Sequence, residues 1–458
     1  MPAHRETPQR PDRAAPHGAQ RHGRPRAARR RAAGLRHARQ TMIRIDDRHH
    51  TRREVEDLAA RCAERARPGV RYAACFSGTI DWLAAFFAMR AAGAAVLPLH
   101  PGTPRPAAER LAREAGCRYL LFNGYEPEEV LPESEAVTDD PGRLIQLSSG
   151  TTGAPKPVAR TWAAIGREIA TYVTHFRDPE GMTPVIACPV THSYGLICGL
   201  LVGLERGAEP VVLNTGNPKY ILKALREVER PLLYASPAVL HALARLLPDG
   251  ERLHAAMTSG TLLPDPWFAR IRTRTRHLFQ QYGCSEAGCI AVNPDMGAAA
   301  AMGYPLPHHR VRAGGGSEAP DEIVVDGAEG EVRTRDLGYL RPDGMLMFVS
   351  RLDDTINVSG LNVYPKDVED VVMALPEVTD AVAFRRADPF AGERVALVFT
   401  ASRTVSPLTV RAWCREHLAA HQQPADVVQA DSLPRMANGK ISRSRVAELF
   451  GAGGEGAR

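Results

Sequence analysis

The sequence predicts an α/β protein: a large multi-layer amino-terminal α/β domain with mostly parallel sheets, then a small mobile α+β carboxy-terminal domain. Two observations carry this. From Val70 to Tyr282, short apolar runs alternate with stretches of helical spacing. Strands that alternate with helices imply right-handed crossovers and parallel pairing. Near Met296 the pattern changes, glycine and proline rise, and a second helix-and-strand unit begins at about Arg351. The expected domains are therefore 42–350 and 351–458, and a boundary of this kind is the default place for a site.

Each element follows from its own spacing. Thr51–Ala66 puts Val55, Leu58, Ala59, Cys62 and Ala66 on one helical face. The runs beginning at Val70, Ala94 and Tyr119 predict strands, with helices expected from Trp82 and from Pro106. An acidic segment, Glu126–Asp140, leads to the apolar run Leu144–Leu147, which reads as a strand. A helix is expected over Arg160–His175 and another over Tyr194–Arg206. Strands at Leu232, Ala255 and His277 alternate with helices starting at Pro218, Pro237 and Pro264, proline being well suited to the first helical turn. Short strands are expected at Glu322, Gly338 and Met345. A helix at Pro365, strands at Val378 and Arg394, and a helix from Leu408 complete the second unit.

Composition narrows the function classes. The chain has 458 residues, 44% hydrophobic and 24% charged, which is ordinary for a globular protein. No apolar run reaches the length of a membrane span. The net charge of +6 misleads: residues 1–41 hold eleven arginines against Glu6 and Asp12, a net of +9, which leaves −3 for the rest. A nucleic-acid surface is not supported outside that tail. The tail has almost no large apolar residue, so it is expected to be disordered. It lacks the apolar core of a secretory signal, and Met42 is the favoured true start. The eight cysteines form no Cys-x-x-Cys pair and mostly sit in apolar runs. Buried free thiols in a reducing, cytoplasmic setting are expected.

Five stretches carry chemistry. In Leu147-Ser148-Ser149-Gly150-Thr151-Thr152-Gly153-Ala154-Pro155-Lys156, glycines, hydroxyls and a lysine follow a strand. Backbone N–H groups in such a loop form a concavity for phosphate oxygens. It is not a Walker A loop, because Ala154-Pro155 separates Gly153 from Lys156. An ordinary polar surface loop has the same composition. In Gln281-Tyr282-Gly283-Cys284-Ser285-Glu286, a strand ends, a glycine turns and a carboxylate follows. Glu286 suits Mg²⁺ and Tyr282 suits stacking on a base, though a surface glutamate and a core tyrosine would read alike. Thr334-Arg335-Asp336 sets a carboxylate where it can accept ribose hydroxyls. Ser350-Arg351-Leu352-Asp353-Asp354 lies at the domain boundary. Leu433–Ile441 is a turn-rich loop carrying Lys440. Only five lysines occur in the chain, against 53 arginines, and Lys156 and Lys440 both lie in these stretches.

In this order and spacing, the five stretches resemble the adenylate-forming enzymes: acyl-CoA synthetases, aryl-acid ligases and the adenylation domains of peptide synthetases. The resemblance runs from about residue 70 to 445. It implies ATP and Mg²⁺, with Ser148, Ser149, Gly150, Thr151, Thr152, Gly153 and Lys156 on the β- and γ-phosphates. Glu286, with Thr152, would serve the metal; Tyr282, Gly283 and Ser285 would frame the adenine. Asp336 would bind the ribose hydroxyls, with Arg351 beside the same sugar and Asp353 as the hinge. Lys440 would bridge the acid carboxylate and the α-phosphate, with His192 near the carboxylate end of the acid pocket. Residues 356–363 resemble the segment lining a pantetheine tunnel, which implies CoA or a carrier-protein phosphopantetheine as acceptor. The stretch from Thr191 lacks the aspartate that pairs an amino acid's ammonium group, so a fatty or aryl acid is expected. A non-thiol acceptor and a degenerate nucleotide-binding module are the alternatives. Three departures stand out: Pro157 and Arg335 replace common glycines, and only 106 residues separate Met42 from Ser148, so a trimmed amino-terminal subdomain is expected.

Overall fold

The computed structural model describes residues 41–148, 156–389, 391–435 and 441–451. Residues from Met42 onward form one compact unit. A thirteen-stranded sheet is its spine. Strands Thr183–Ile186, Pro231–Tyr234, Leu253–Thr258 and Thr275–Cys284 pair in parallel, as the strand–helix alternation requires. From Gly288–Asn293 to Arg310–Arg312 the sheet continues antiparallel. That is the region where glycine and proline rise. A six-stranded sheet holds Arg71–Cys75, Ala95–Pro98, Tyr119–Phe122 and Arg143–Ser148.

The main core lies between these two sheets and is filled by helices. Thr79–Ala91 buries Trp82, Leu83, Phe86 and Met89, with apolar residues all round. It packs with Trp162–His175 and the segment Tyr194–Leu201. Indole N–H groups tie distant segments together: Trp82 donates to the Val190 carbonyl at 3.1 Å and Trp162 to that of Ala94 at 3.0 Å. Tyr194–Leu201 is π-helical rather than α-helical. Gly195 lets it approach closely, since a Cβ there would lie 2.6 Å from the Pro189 carbonyl oxygen. Helices Pro218–Arg226, Pro237–Leu246 and Asp265–Thr273 cover the outer face of the large sheet.

Two expectations are corrected. The helix expected from Arg160 starts at Trp162. Lys156–Thr161 is a strand, antiparallel to Arg143–Ser148 at the sheet edge. Pro157 sits in that edge strand opposite Leu147, a position proline tolerates because an edge strand need not donate on both sides. Nor does Gly283 make the turn: the strand runs on to Cys284, and Ser285–Ala287 turn. Gly283 is needed for another reason, because a Cβ there would collide with the Gly288 carbonyl across the hairpin.

The smaller carboxy-terminal α+β part has its own five-stranded sheet, led by the paired strands Val378–Asp388 and Gly392–Ala401. Helices Pro365–Met373, Pro407–His417 and Arg443–Gly451 pack on it. It meets the large domain at Asp265. The Asp265 N–H donates to Asp370 at 2.9 Å, and Lys366 lies 3.1 Å from the Asp265 carboxylate. Trp267 adds an apolar contact to the small domain's core.

Candidate active site

Three expected residues meet at the carboxyl end of the parallel strands, the usual ligand position in an open α/β sheet. Tyr282 donates its hydroxyl to Asp336 Oδ2 at 2.7 Å. Asp336 and Arg351 are directly opposed on adjacent strands, Gly330–Leu340 and Leu346–Arg351. The Arg351 guanidinium lies 3.3 Å from Asp336 Oδ1. Asp336 is 7% exposed. Its own N–H donates to Thr334 Oγ at 3.2 Å, and Thr334 in turn donates to the Ile323 carbonyl at 2.8 Å. A buried carboxylate held in this way has a fixed orientation. Burial, with the Asp336 charge beside it, pushes the Tyr282 phenol well above its ordinary range, so this hydroxyl is a donor at neutral pH.

Glu286 stands on the turn that follows the same strand and is exposed. Burial, then the Glu286 charge, pushes the Cys284 thiol up to about 12. Among the described residues, no group of three or more His, Cys, Asp or Glu could hold a metal by itself. One hard carboxylate on a tight turn suits Mg²⁺ only when substrate phosphates supply the remaining oxygens, and that is how Glu286 fits. Ser285 shares the turn.

The stretch from Thr191, expected near the acid, sits beside the same strand ends. His192 is exposed; its N–H donates to the Pro189 carbonyl at 3.2 Å, and its carbonyl accepts from Leu196 at 2.9 Å. Tyr194 donates to the Met257 carbonyl at 2.6 Å. Ser193 donates to Gln146, which joins this stretch to the strand Arg143–Ser148. Ser148 ends that strand, and Lys156 is its register partner on the next. Ser149, Gly150, Thr151, Thr152, Gly153 and Lys440 lie outside the described residues.

Two clusters escape motif reading. Arg160 and Glu168, 4% and 1% exposed, form a buried ion pair. Glu168 also accepts from the Cys289 N–H at 2.8 Å. Arg160 also lines a cleft with Glu286, His308 and His309. Burial, then the nearby His309 and arginines, lowers His308 to about 4. Only the fold brings these together, from strands and loops far apart in sequence. The second cluster is Arg335 with Asp353, an ion pair joining the residue before Asp336 to the expected hinge.

Family models agree with this geometry. One described as AMP-binding enzyme matches residues 29–144 and 125–341; another, AMP-binding enzyme C-terminal domain, matches 367–440. The chain belongs to the AMP-binding enzyme family. It is 36% identical over 375 residues to the 3,4-dihydroxybenzoate–[aryl-carrier protein] ligase of Bacillus anthracis, covering 82% of this chain and 90% of that one. It is 29% identical to the 2-succinylbenzoate–CoA ligase of Bacillus velezensis, covering 71% and 72%. The ATP-bound MatB of Rhodopseudomonas palustris shares the fold, with TM-score 0.76 and 19% identity over 90% of this chain and 96% of that one. The family activates acids by adenylation. No helix among the described residues is long and apolar enough to cross a membrane.

Proposed function

We propose that this protein activates an aryl acid with ATP as the acyl-adenylate, releasing pyrophosphate, and passes the acyl group to a phosphopantetheine thiol on a carrier protein. The observation that carries this reading is the Tyr282–Asp336–Arg351 constellation at the strand ends, which suits a ribose diol. The aspartate-free stretch from Thr191 disfavours an amino acid, and the name of the 36%-identical relative supports an aryl acid over a fatty one. CoA is the second acceptor, supported by the 2-succinylbenzoate–CoA ligase relative.

In the first step a carboxylate oxygen attacks the α-phosphorus and the bond to pyrophosphate breaks. Both reactants are anionic, so the protein must place positive charge between them. Lys440 is assigned that role, bridging carboxylate and α-phosphate. Lys156 and the loop 148–153 are assigned to the leaving pyrophosphate. Magnesium, when bound by Glu286 and Thr152 with the phosphates, supplies further charge neutralisation. Asp336 and Arg351 hold the sugar, Tyr282, Gly283 and Ser285 frame the base, and His192 stands toward the acid's carboxylate. In the second step a thiolate attacks the acyl carbonyl and AMP leaves. The small domain swings about Asp353 between the steps.

A pyrophosphate-release screen tests the reading: hydroxylated benzoates, fatty acids and amino acids with ATP, followed by a carrier protein or CoA. Release with aryl acids and thioester on the carrier protein is expected. Silence with every acid would leave a nucleotide-binding module. Release without any thioester would point to a non-thiol acceptor.

A further inference from the structure

The proposed nucleotide pocket and the expected hinge are joined by two neighbouring ion pairs, one across the strands and one to the turn that follows. Asp336 faces Arg351, and one residue earlier Arg335 pairs with Asp353. The Leu352 N–H also donates to the Arg335 carbonyl at 2.8 Å. Arg335 takes φ +61°, a conformation in which an L side chain crowds its own carbonyl and glycine is at ease. A strained, non-glycine residue persists only where its surroundings hold it. Here the backbone is pinned on both sides, its N–H donating to Glu322 at 3.1 Å and its carbonyl accepting from Leu352, which leaves the side chain directed to Asp353. In this arrangement the hairpin tip at Ser359–Asn362 faces solvent: Leu361 is 52% exposed, and a Cβ on Gly360 would meet nothing within 4 Å.

We propose that Arg335 is a positioning residue that holds the small domain in its adenylation orientation through Asp353, and so sets the partition between the two half-reactions. The inference rests on the proposed two-step function. In the orientation observed, the segment assigned to the pantetheine tunnel is turned outward, so the pair must part before acyl transfer. Its location next to the ribose carboxylate couples that parting to the nucleotide. Arg335 is 59% exposed and Asp353 20%, so water and salt screen the pair. A surface pair of this kind shifts an equilibrium by about two- to five-fold.

The test compares wild type with Arg335→Gly, Arg335→Ala and Arg335→Lys in the full chain. Single-turnover pyrophosphate release with benzoate-class acids reads adenylation. Transfer from preformed adenylate to a carrier-protein thiol reads the second step. Hydrogen exchange at Leu361 and Asn362 reads domain orientation without any acceptor. Arg335→Gly is expected to leave pyrophosphate release within two-fold, raise transfer relative to adenylation about two- to five-fold, and slow exchange at the hairpin tip. Arg335→Ala should match it, and Arg335→Lys should return toward wild type. Unchanged partition and unchanged exchange in Arg335→Gly would overturn the latch. If no thiol acceptor reacts with the wild type, the two-step reading fails, while exchange still decides whether Arg335 holds the domain.

Discussion

At the scale of single residues, the proposed nucleotide pocket contains one hydrogen bond that can be removed cleanly. Tyr282→Phe keeps the ring and its packing but leaves Asp336 without a phenol donor. A hydrogen bond to a charged group contributes about 1.5–3 kcal/mol. The expected result is a KM for ATP raised about ten-fold or more, with kcat changed less, measured by pyrophosphate release. An unaltered KM would show that Asp336 needs no help from Tyr282. For the assigned role of Lys440, Lys440→Ala should slow acyl-adenylate formation on the order of 10²–10³, the range for losing one preorganised charge donor. Near-wild-type release would remove Lys440 from the chemistry. Asp336, Glu286 and Lys440 were legible as candidates because the motifs around them are local. Their geometry was not, because the cross-strand register of Asp336 with Arg351 is a property of pairing.

At the scale of elements, the buried Arg160–Glu168 pair locks three together: the edge strand Lys156–Thr161, the helix Trp162–His175 and the strand Gly288–Asn293. Breaking a buried pair by removing one partner strands the other charge, at about 3–5 kcal/mol. Arg160→Met should lower the denaturation midpoint accordingly, whereas Arg160→Met with Glu168→Leu should recover most of the loss. A single variant as stable as wild type would mean that water reaches Glu168. The helix expected from Arg160 began two residues later for the same reason. Arg160 lies opposite Leu144 in the strand ladder, and helical spacing cannot report a neighbour that pairs from another segment.

At the scale of the whole molecule, stability should fall in mild acid. Burial lowers His241 and His308 from 6.5 to about 4, helped by nearby basic groups. Each is neutral in the fold at a pH where the unfolded chain binds a proton. Unfolded protein therefore takes up more protons between about pH 6.5 and about pH 4, and stability is lost as pH falls through that window. Thermal unfolding from pH 7 to pH 4.5 should show a falling Tm. Substituting His241 and His308 by Gln should flatten the fall, and an equal slope in that variant would assign it to other groups.

Read alone, the sequence settled the fold class and the change from alternating strands and helices to shorter strands near Met296, and it singled out Tyr282, Glu286, Asp336, Arg351 and Asp353 as candidates. Periodicity and short motifs are local, so they survive in one dimension. Only the tertiary structure decided that Gly283 continues a strand, and that Arg160 reaches Glu168 beneath the cleft holding Glu286. It also decided that Arg335, in a position suited to glycine, reaches the hinge. Each of those outcomes depends on which segment lies alongside: Arg335 and Asp353 are 18 residues apart and Glu168 and Cys289 are 121 apart, and such pairing leaves no periodic trace.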